Sequence, residues 1–137
     1  GLSLVGLFGA TTKSYATPEA VAESVKAFAG DVEVGSGKLT LTAPEIAENG
    51  NSVPMAVTVD SPMTEDDYVE SVVLYAEGNP NPEVITFHFT PASGEATAST
   101  RMRLAKTQNV VAVAKMSDGS VVSDTRNVKV TIGGCGG

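Results

Sequence analysis

Two side chains able to act as a nucleophile, a general base or a soft metal ligand near neutral pH occur once each in this 137-residue sequence: Cys135 and His88. A catalytic thiol needs a base or a cation beside it, and a serine of the Ser-His-Asp type needs a histidine. Any Ser-His-Asp or Cys-His arrangement would therefore draw on His88, and no nucleophile-elbow signature accompanies it. A single cysteine can form neither an internal disulfide nor a thiolate zinc site. An enzyme with its own active site is disfavoured, and neither a metal nor a cofactor is expected.

Cys135 sits in Gly133-Gly134-Cys135-Gly136-Gly137. Four glycines leave one reactive side chain on backbone that otherwise lacks Cβ atoms, which makes a flexible and thin arm. Fully extended, five residues reach on the order of 16 to 18 Å, enough to carry a thiol from a domain surface into a deep, narrow pocket. The reference pKa of a free thiol is near 8.5, and no helix N-terminus, lysine or histidine stands beside Cys135 in sequence to lower it. Such a thiol reacts where a partner activates it. Cys135 stands third from the end, outside the C-a-a-X prenylation frame.

Two function classes fit this tail. One is a covalent carrier whose chemistry happens inside other enzymes. The other is a secreted structural or interaction β-sandwich that uses its lone cysteine for an intermolecular disulfide. A disulfide-linked dimer through Cys135 is expected of both in oxidising conditions.

The remaining chemistry-bearing residues point elsewhere. Nine Lys and Arg against sixteen Asp and Glu give a net charge of −7, the wrong sign for binding a phosphate backbone, so nucleic acid is excluded. His88 runs in phase with Thr86 and opposite Phe87 and Phe89, which puts it on a polar or partner-facing surface. Glu65-Asp66-Asp67 lacks the ligand spacing and glycine of an EF-hand and reads as a solvated loop. Arg126 and Lys129 lie near the root of the tail; solvated strand-face charges are the favoured reading, docking of acidic enzyme surfaces the other.

The elements that must position the tail are mostly strands. Thr17 as cap, Pro18 at the first helical position, Glu19, and Val21, Val25 and Phe28 at helical spacing predict one short amphipathic helix ending at Gly30 and lying across a sheet. After Gly37 the period becomes two. Leu39 and Leu41 alternate, as do Val53, Met55, Val57 and Val59, with Pro54 marking the start or edge of its strand and Asn49-Gly50 a turn before it. Val69 to Ala76 and Val84 to Phe89 follow, separated by a surface loop over residues 77–82. Ala96 to Leu104 sets Arg101 and Arg103 opposite Met102 and Leu104. Val110 to Met116 is apolar on both faces, as a central strand is. Asp118-Gly119 signals a hairpin, and Val128, Val130 and Ile132 share one face of the last strand.

About seven strands predict a mainly β fold: an immunoglobulin-like antiparallel β-sandwich with a short N-terminal helix and a C-terminal Gly-Gly-Cys-Gly-Gly arm. Residues 1–16 form an N-terminal segment, 17–132 the carrier domain and 133–137 the arm. Within the first segment Leu2 to Ala10 has the length of a signal-peptide apolar region, and Ser14-Tyr15-Ala16 a small-x-small pattern. Export-signal remnant and packed N-terminal arm are both open readings of it.

The terminal glycine-cysteine pentapeptide directly after a strand, with Ala43-Pro44-Glu45-Ile46-Ala47-Glu48-Asn49-Gly50 leading into Val53-Pro54, resembles the SoxY family of bacterial sulfur oxidation, from about Thr17 to Gly137. The resemblance implies that Cys135 covalently holds sulfur intermediates and that the chain pairs with SoxZ. It implies that SoxAX joins thiosulfate to the thiol as an S-thiosulfonate, that SoxB releases sulfate and leaves a persulfide, and that SoxCD, where present, oxidises the outer sulfur. It also implies a periplasmic location reached by the twin-arginine route.

Overall fold

The computed structural model describes residues 17–79 and 83–132. Helix α1 (Pro18–Ala29) is followed by β1 (Val34–Gly35), β2 (Leu39–Thr42), β3 (Ile46–Ala47), β4 (Val53–Val59), β5 (Val69–Ala76), β6 (Glu83–His88), a 3-10 turn (Pro91–Ser93), β7 (Ala96–Met102), β8 (Gln108–Met116) and β9 (Val121–Val130). One sheet runs β1-β9-β8-β5-β6, with β3 also paired to β9; the other runs β2-β4-β7. The long strands pair antiparallel, as expected.

The core lies between the sheets. Leu39 and Leu41 of β2 and Val53, Met55, Val57 and Val59 of β4 face Val72, Leu74 and Ala76 of β5 and Val110, Ala112 and Ala114 of β8. The alternate residues of the large sheet, Val73, Tyr75 and Val113, point outward and are covered by Val21 and Ala29 of α1, with Val25 and Phe28 partly buried beside them. Strands β5 and β8 are therefore apolar on both faces because one face meets the other sheet and the opposite face meets the helix. The helix begins as its sequence dictates: the Thr17 hydroxyl accepts from the Ala20 N–H at 3.0 Å, and Gly30 closes it at φ 73°. Lys115 reaches across to donate to the Phe28 carbonyl at 3.3 Å, tying the last turn to the sheet.

Two short strands add to the expected count, and both are parallel. Val34 and Gly35 pair with Val121 and Val122, and Ile46 and Ala47 with Lys129 and Val130. Between them the chain crosses to the small sheet as β2, where the Leu41 N–H donates to Asp124 Oδ2 at 2.8 Å. One stretch of chain, residues 34–47, thus covers the edge of β9 at its start, middle and end, closing an edge that would otherwise present unpaired backbone groups. Pro54 is the second residue of β4, beyond the point where β2 pairs, since that register runs from Leu39↔Val59 to Thr42↔Ala56. A missing donor is tolerated there.

Three local expectations are corrected. Strand β7 stops at Met102, although Leu104 is buried as its spacing required. Asn79, placed by its Pro- and Asn-rich context in a surface loop, is only 3% exposed. Its Nδ2 donates to the Arg103 carbonyl at 2.8 Å, and its Oδ1 accepts from the Ala105 N–H at 3.0 Å and Gln108 Nε2 at 2.9 Å. A Cβ on Gly78 would come within 3.1 Å of Gln108 Cβ, so the glycine permits this close approach. Third, the last strand ends at Val130, so Ile132 does not belong to it: Val128 is buried, Val130 half-buried and Ile132 66% exposed, because the chain runs past the end of the core.

Candidate functional site

The sequence-predicted arm, Gly133, Gly134, Cys135, Gly136 and Gly137, lies outside the described residues, as does segment 1–16. The structure describes the root from which that arm leaves. On one side β9 is held by β8 up to Gln108↔Val128. On the other, the Lys129 N–H donates to the Glu45 carbonyl at 2.9 Å, the Thr131 N–H to the Ala47 carbonyl at 3.1 Å, and the Gly50 N–H to the Ile132 carbonyl at 2.7 Å. The Thr131 hydroxyl donates to the Glu48 carbonyl at 3.0 Å. Val130 donates to Thr107 Oγ1 at 2.8 Å, and the Leu104 N–H donates to the Gly50 carbonyl at 2.8 Å. Every residue from Lys129 to Ile132 has a backbone group bonded to another segment, so the last described residue is fixed to the body.

This anchoring strap, residues 45–50, escaped the period-two reading. A two-residue parallel bridge carries no alternation, and its partners lie more than eighty positions away in sequence. The signal present was the Asn49-Gly50 turn, which frames Gly50 without indicating that its N–H holds the end of the domain.

The basic groups around the root are exposed. Arg126 pairs with Asp124 at 3.1 Å, with side chains 46% and 21% exposed, a geometry worth little in stability. Lys129, Arg103 and Lys106 are exposed and make no ion pair among the described residues. Arg101 donates to Ser52 Oγ at 3.4 Å. Arg101 also borders a groove of about 560 Å³ on the outer face of the small sheet, lined by Thr42, Pro44, Pro54, Ala56 and Ser99 among others. That lining includes no carboxylate, histidine or cysteine, so the groove holds no acid-base pair.

His88 is exposed at the end of edge strand β6, with Phe87 and Phe89 half-buried against the core, as its phase required. Glu65, Asp66 and Asp67 are exposed in a turn closed by Thr64 and Asp67. Among the described residues no group of three His, Cys, Asp or Glu side chains is placed to hold a metal, and no helix is long and apolar enough to cross a membrane. The Asp118 carboxyl, at the β8–β9 hairpin, is held below the usual range chiefly by the Ser120 hydroxyl, which donates to it at 2.6 Å, and by the Ser120 N–H at 2.8 Å.

A helix across one sheet of a two-sheet sandwich, with the residues after the last strand hydrogen-bonded to residues 45–50, defines the class: a two-layer β-sandwich domain with one outer face covered. The chain belongs to the SoxY family: the model of "sulfur oxidation protein SoxY" matches residues 25–135, a span that runs through Cys135. The chain is 32% identical to the sulfur carrier protein SoxY of Chlorobium limicola f. thiosulfatophilum, with a TM-score of 0.68 over 82% of this chain and 96% of that one. The superoxide reductase (neelaredoxin) of Ignicoccus hospitalis is 20% identical, with a TM-score of 0.61 over 85% of this chain and 94% of that one. The superoxide reductase of Nanoarchaeum equitans is 12% identical, with a TM-score of 0.59 over 69% and 99%. The reductases share the fold alone. No curated protein sequence matches.

Proposed function

We propose that this chain is a covalent carrier of sulfur-oxidation intermediates, held on Cys135 and presented to partner enzymes. The observation that carries this reading is the SoxY family match extending to Cys135, three residues beyond a clamped Ile132. In the first step an oxidase of the SoxAX type joins the Cys135 sulfur to the sulfane sulfur of thiosulfate. The thiol loses its proton, two electrons pass to the oxidase, and an S-thiosulfonate results. A hydrolase of the SoxB type then adds water across the bond between the outer sulfane sulfur and the sulfone group, releasing sulfate and leaving a persulfide. SoxCD, where present, oxidises that outer sulfur further. The carrier is the substrate of these enzymes and catalyses none of the steps.

Anchored body and glycine-flanked thiol divide the work. Covalent attachment retains small anions that an acidic chain would not hold electrostatically, and a tether keeps each intermediate at high local concentration for successive enzymes. SoxZ is the partner subunit on this reading and the periplasm the compartment, supported by family membership and by the apolar stretch Leu2 to Ala10.

Intact mass tests the proposal. After incubation with thiosulfate and the cognate oxidase, the C-terminal peptide gains a reductant-labile thiosulfonate adduct, and Cys135→Ser gains none. An adduct on the serine variant, or none on the wild type, overturns it.

A further inference from the structure

The ladder between β8 and β9 stops at Gln108↔Val128. The next backbone-bonded pair of an antiparallel ladder would set Lys106 opposite Val130. The Lys106 carbonyl instead accepts from Gln108 Nε2 at 2.9 Å. The vacated place is taken by the side chain of Thr107. The Val130 N–H donates to Thr107 Oγ1 at 2.8 Å, and the same hydroxyl donates to the Val130 carbonyl at 3.4 Å. One hydroxyl serves both backbone groups of Val130, the part a ladder residue plays with its own N–H and carbonyl.

Loop 103–107 is held in this shape by a buried side chain. Asn79, 3% exposed, bonds the Arg103 carbonyl, the Ala105 N–H and Gln108 Nε2, and Gln108 Oε1 accepts from the Gly78 N–H at 2.9 Å. The same loop supplies a second brace, because the Leu104 N–H donates to the Gly50 carbonyl and the Gly50 N–H to the Ile132 carbonyl. Two routes therefore lead from Asn79 to the end of the domain. One passes through Thr107 to Val130, the other through Leu104 and Gly50 to Ile132.

We infer that Asn79 and Thr107 are positioning residues for Cys135: they fix the point at which its tether begins. The inference rests on the carrier reading above and adds what sets the tether's length. With both braces in place the tether starts at Ile132, and only Gly133 and Gly134 stand between it and Cys135. With Lys129 to Ile132 released it starts at Val128, the last residue of β9 paired to β8, and grows from three residues to seven. Once a tether covers its span, the effective concentration of the tethered group falls roughly as the −3/2 power of length, about threefold to fourfold for this change. A docked enzyme then meets the thiol less often, although it binds the body equally well.

The test is steady-state loading of Cys135 with thiosulfate by the cognate oxidase, with the full chain in its native complex as the varied substrate and intact mass as the readout. Thr107→Val keeps the shape of an exposed side chain and removes its hydroxyl. It is expected to lower kcat about threefold with KM unchanged, and to accelerate amide exchange at Thr131 and Gly50. Thr107→Ser, which returns the hydroxyl, restores both. Asn79→Ala gives the same loss of kcat through the loop. The carrier is the substrate here, so a variant that is only less folded supplies less usable carrier and raises the apparent KM at constant kcat. A Thr107→Val carrier with the wild-type kcat, with or without a rise in KM, or a Thr107→Ser carrier as slow as Thr107→Val, overturns the positioning role and leaves the carrier reading intact. A wild type that is never loaded overturns both.

Discussion

The two outer faces of the sandwich differ in what covers them, and their residues differ accordingly. The outer face of the large sheet presents Val73, Tyr75, Val113 and Val121, all at most 2% exposed because α1 lies across them. The outer face of the small sheet presents Thr40, Thr58, Thr97, Ser99 and Arg101, all exposed, with Ala56 half-buried. Both sheets alternate with the same period and turn valines, leucines and methionines toward the shared core. A strand's second face, taken by itself, records whether another layer of the same chain packs on it.

The sharpest way to break this comparison is to place one carboxylate on each face. Val113→Asp puts an unpaired charge beneath α1 in the central strand β8, and the expected result is loss of the folded state, since such burial costs several kcal/mol or more. Thr58→Asp on the bare face is expected to shift stability by no more than about 1 kcal/mol. Denaturant unfolding of both variants decides the matter; equal shifts would mean that α1 does not cover the sheet.

The next effect concerns the helix itself. Val21→Ala removes buried methyl groups at its contact with the sheet and is expected to cost about 2 kcal/mol. Thr17→Ala, which removes only the cap to the Ala20 N–H, costs about 1 kcal/mol. Both are read from the unfolding midpoint, and the order of the two measures how much of the helix's contribution is packing.

Asp124 joins the two sheets by accepting from the Leu41 N–H. Asp124→Ala leaves that part-buried donor without its partner, with an expected loss of about 1 to 3 kcal/mol. Amide exchange at Leu41 should accelerate more than at Leu39, and an unchanged Leu41 amide would show that the bond does not hold the edge.

The smallest effect belongs to the hairpin. Ser120→Ala removes the main cause of the lowered Asp118 pKa, so that pKa should move back up toward the ordinary aspartate value when followed by NMR titration. A carboxyl whose pKa is lowered on folding favours the folded state above its unfolded pKa, and that contribution is lost as pH falls through the folded value. The variant's stability at neutral pH should scarcely change, because the group is fully exposed.

Features encoded by local spacing were legible in the sequence. Thr17, Pro18 and Gly30 marked α1, Val110 to Met116 announced a strand buried on both faces, and Asp118-Gly119 the hairpin, whose Gly119 has φ 91°. Features that depend on distant partners were not. Strands β1 and β3 are two residues long and exist because β9 offers an edge, so no periodicity encodes them. Asn79 reads as loop from its neighbours and is buried because Gln108, 29 positions away, bonds its side chain. For the candidate site the same division holds. Cys135 stood out by composition alone, whereas the clamp on Ile132 required the fold.

That clamp has a mechanical consequence. A pull on Ile132 directed along the axis of β9 would load the bonds from Lys129, Thr131 and Gly50 to their partners on one flank of that axis and the β8 ladder on the other. Tension is then shared in shear across both flanks, and it does not peel the strand away one bond at a time.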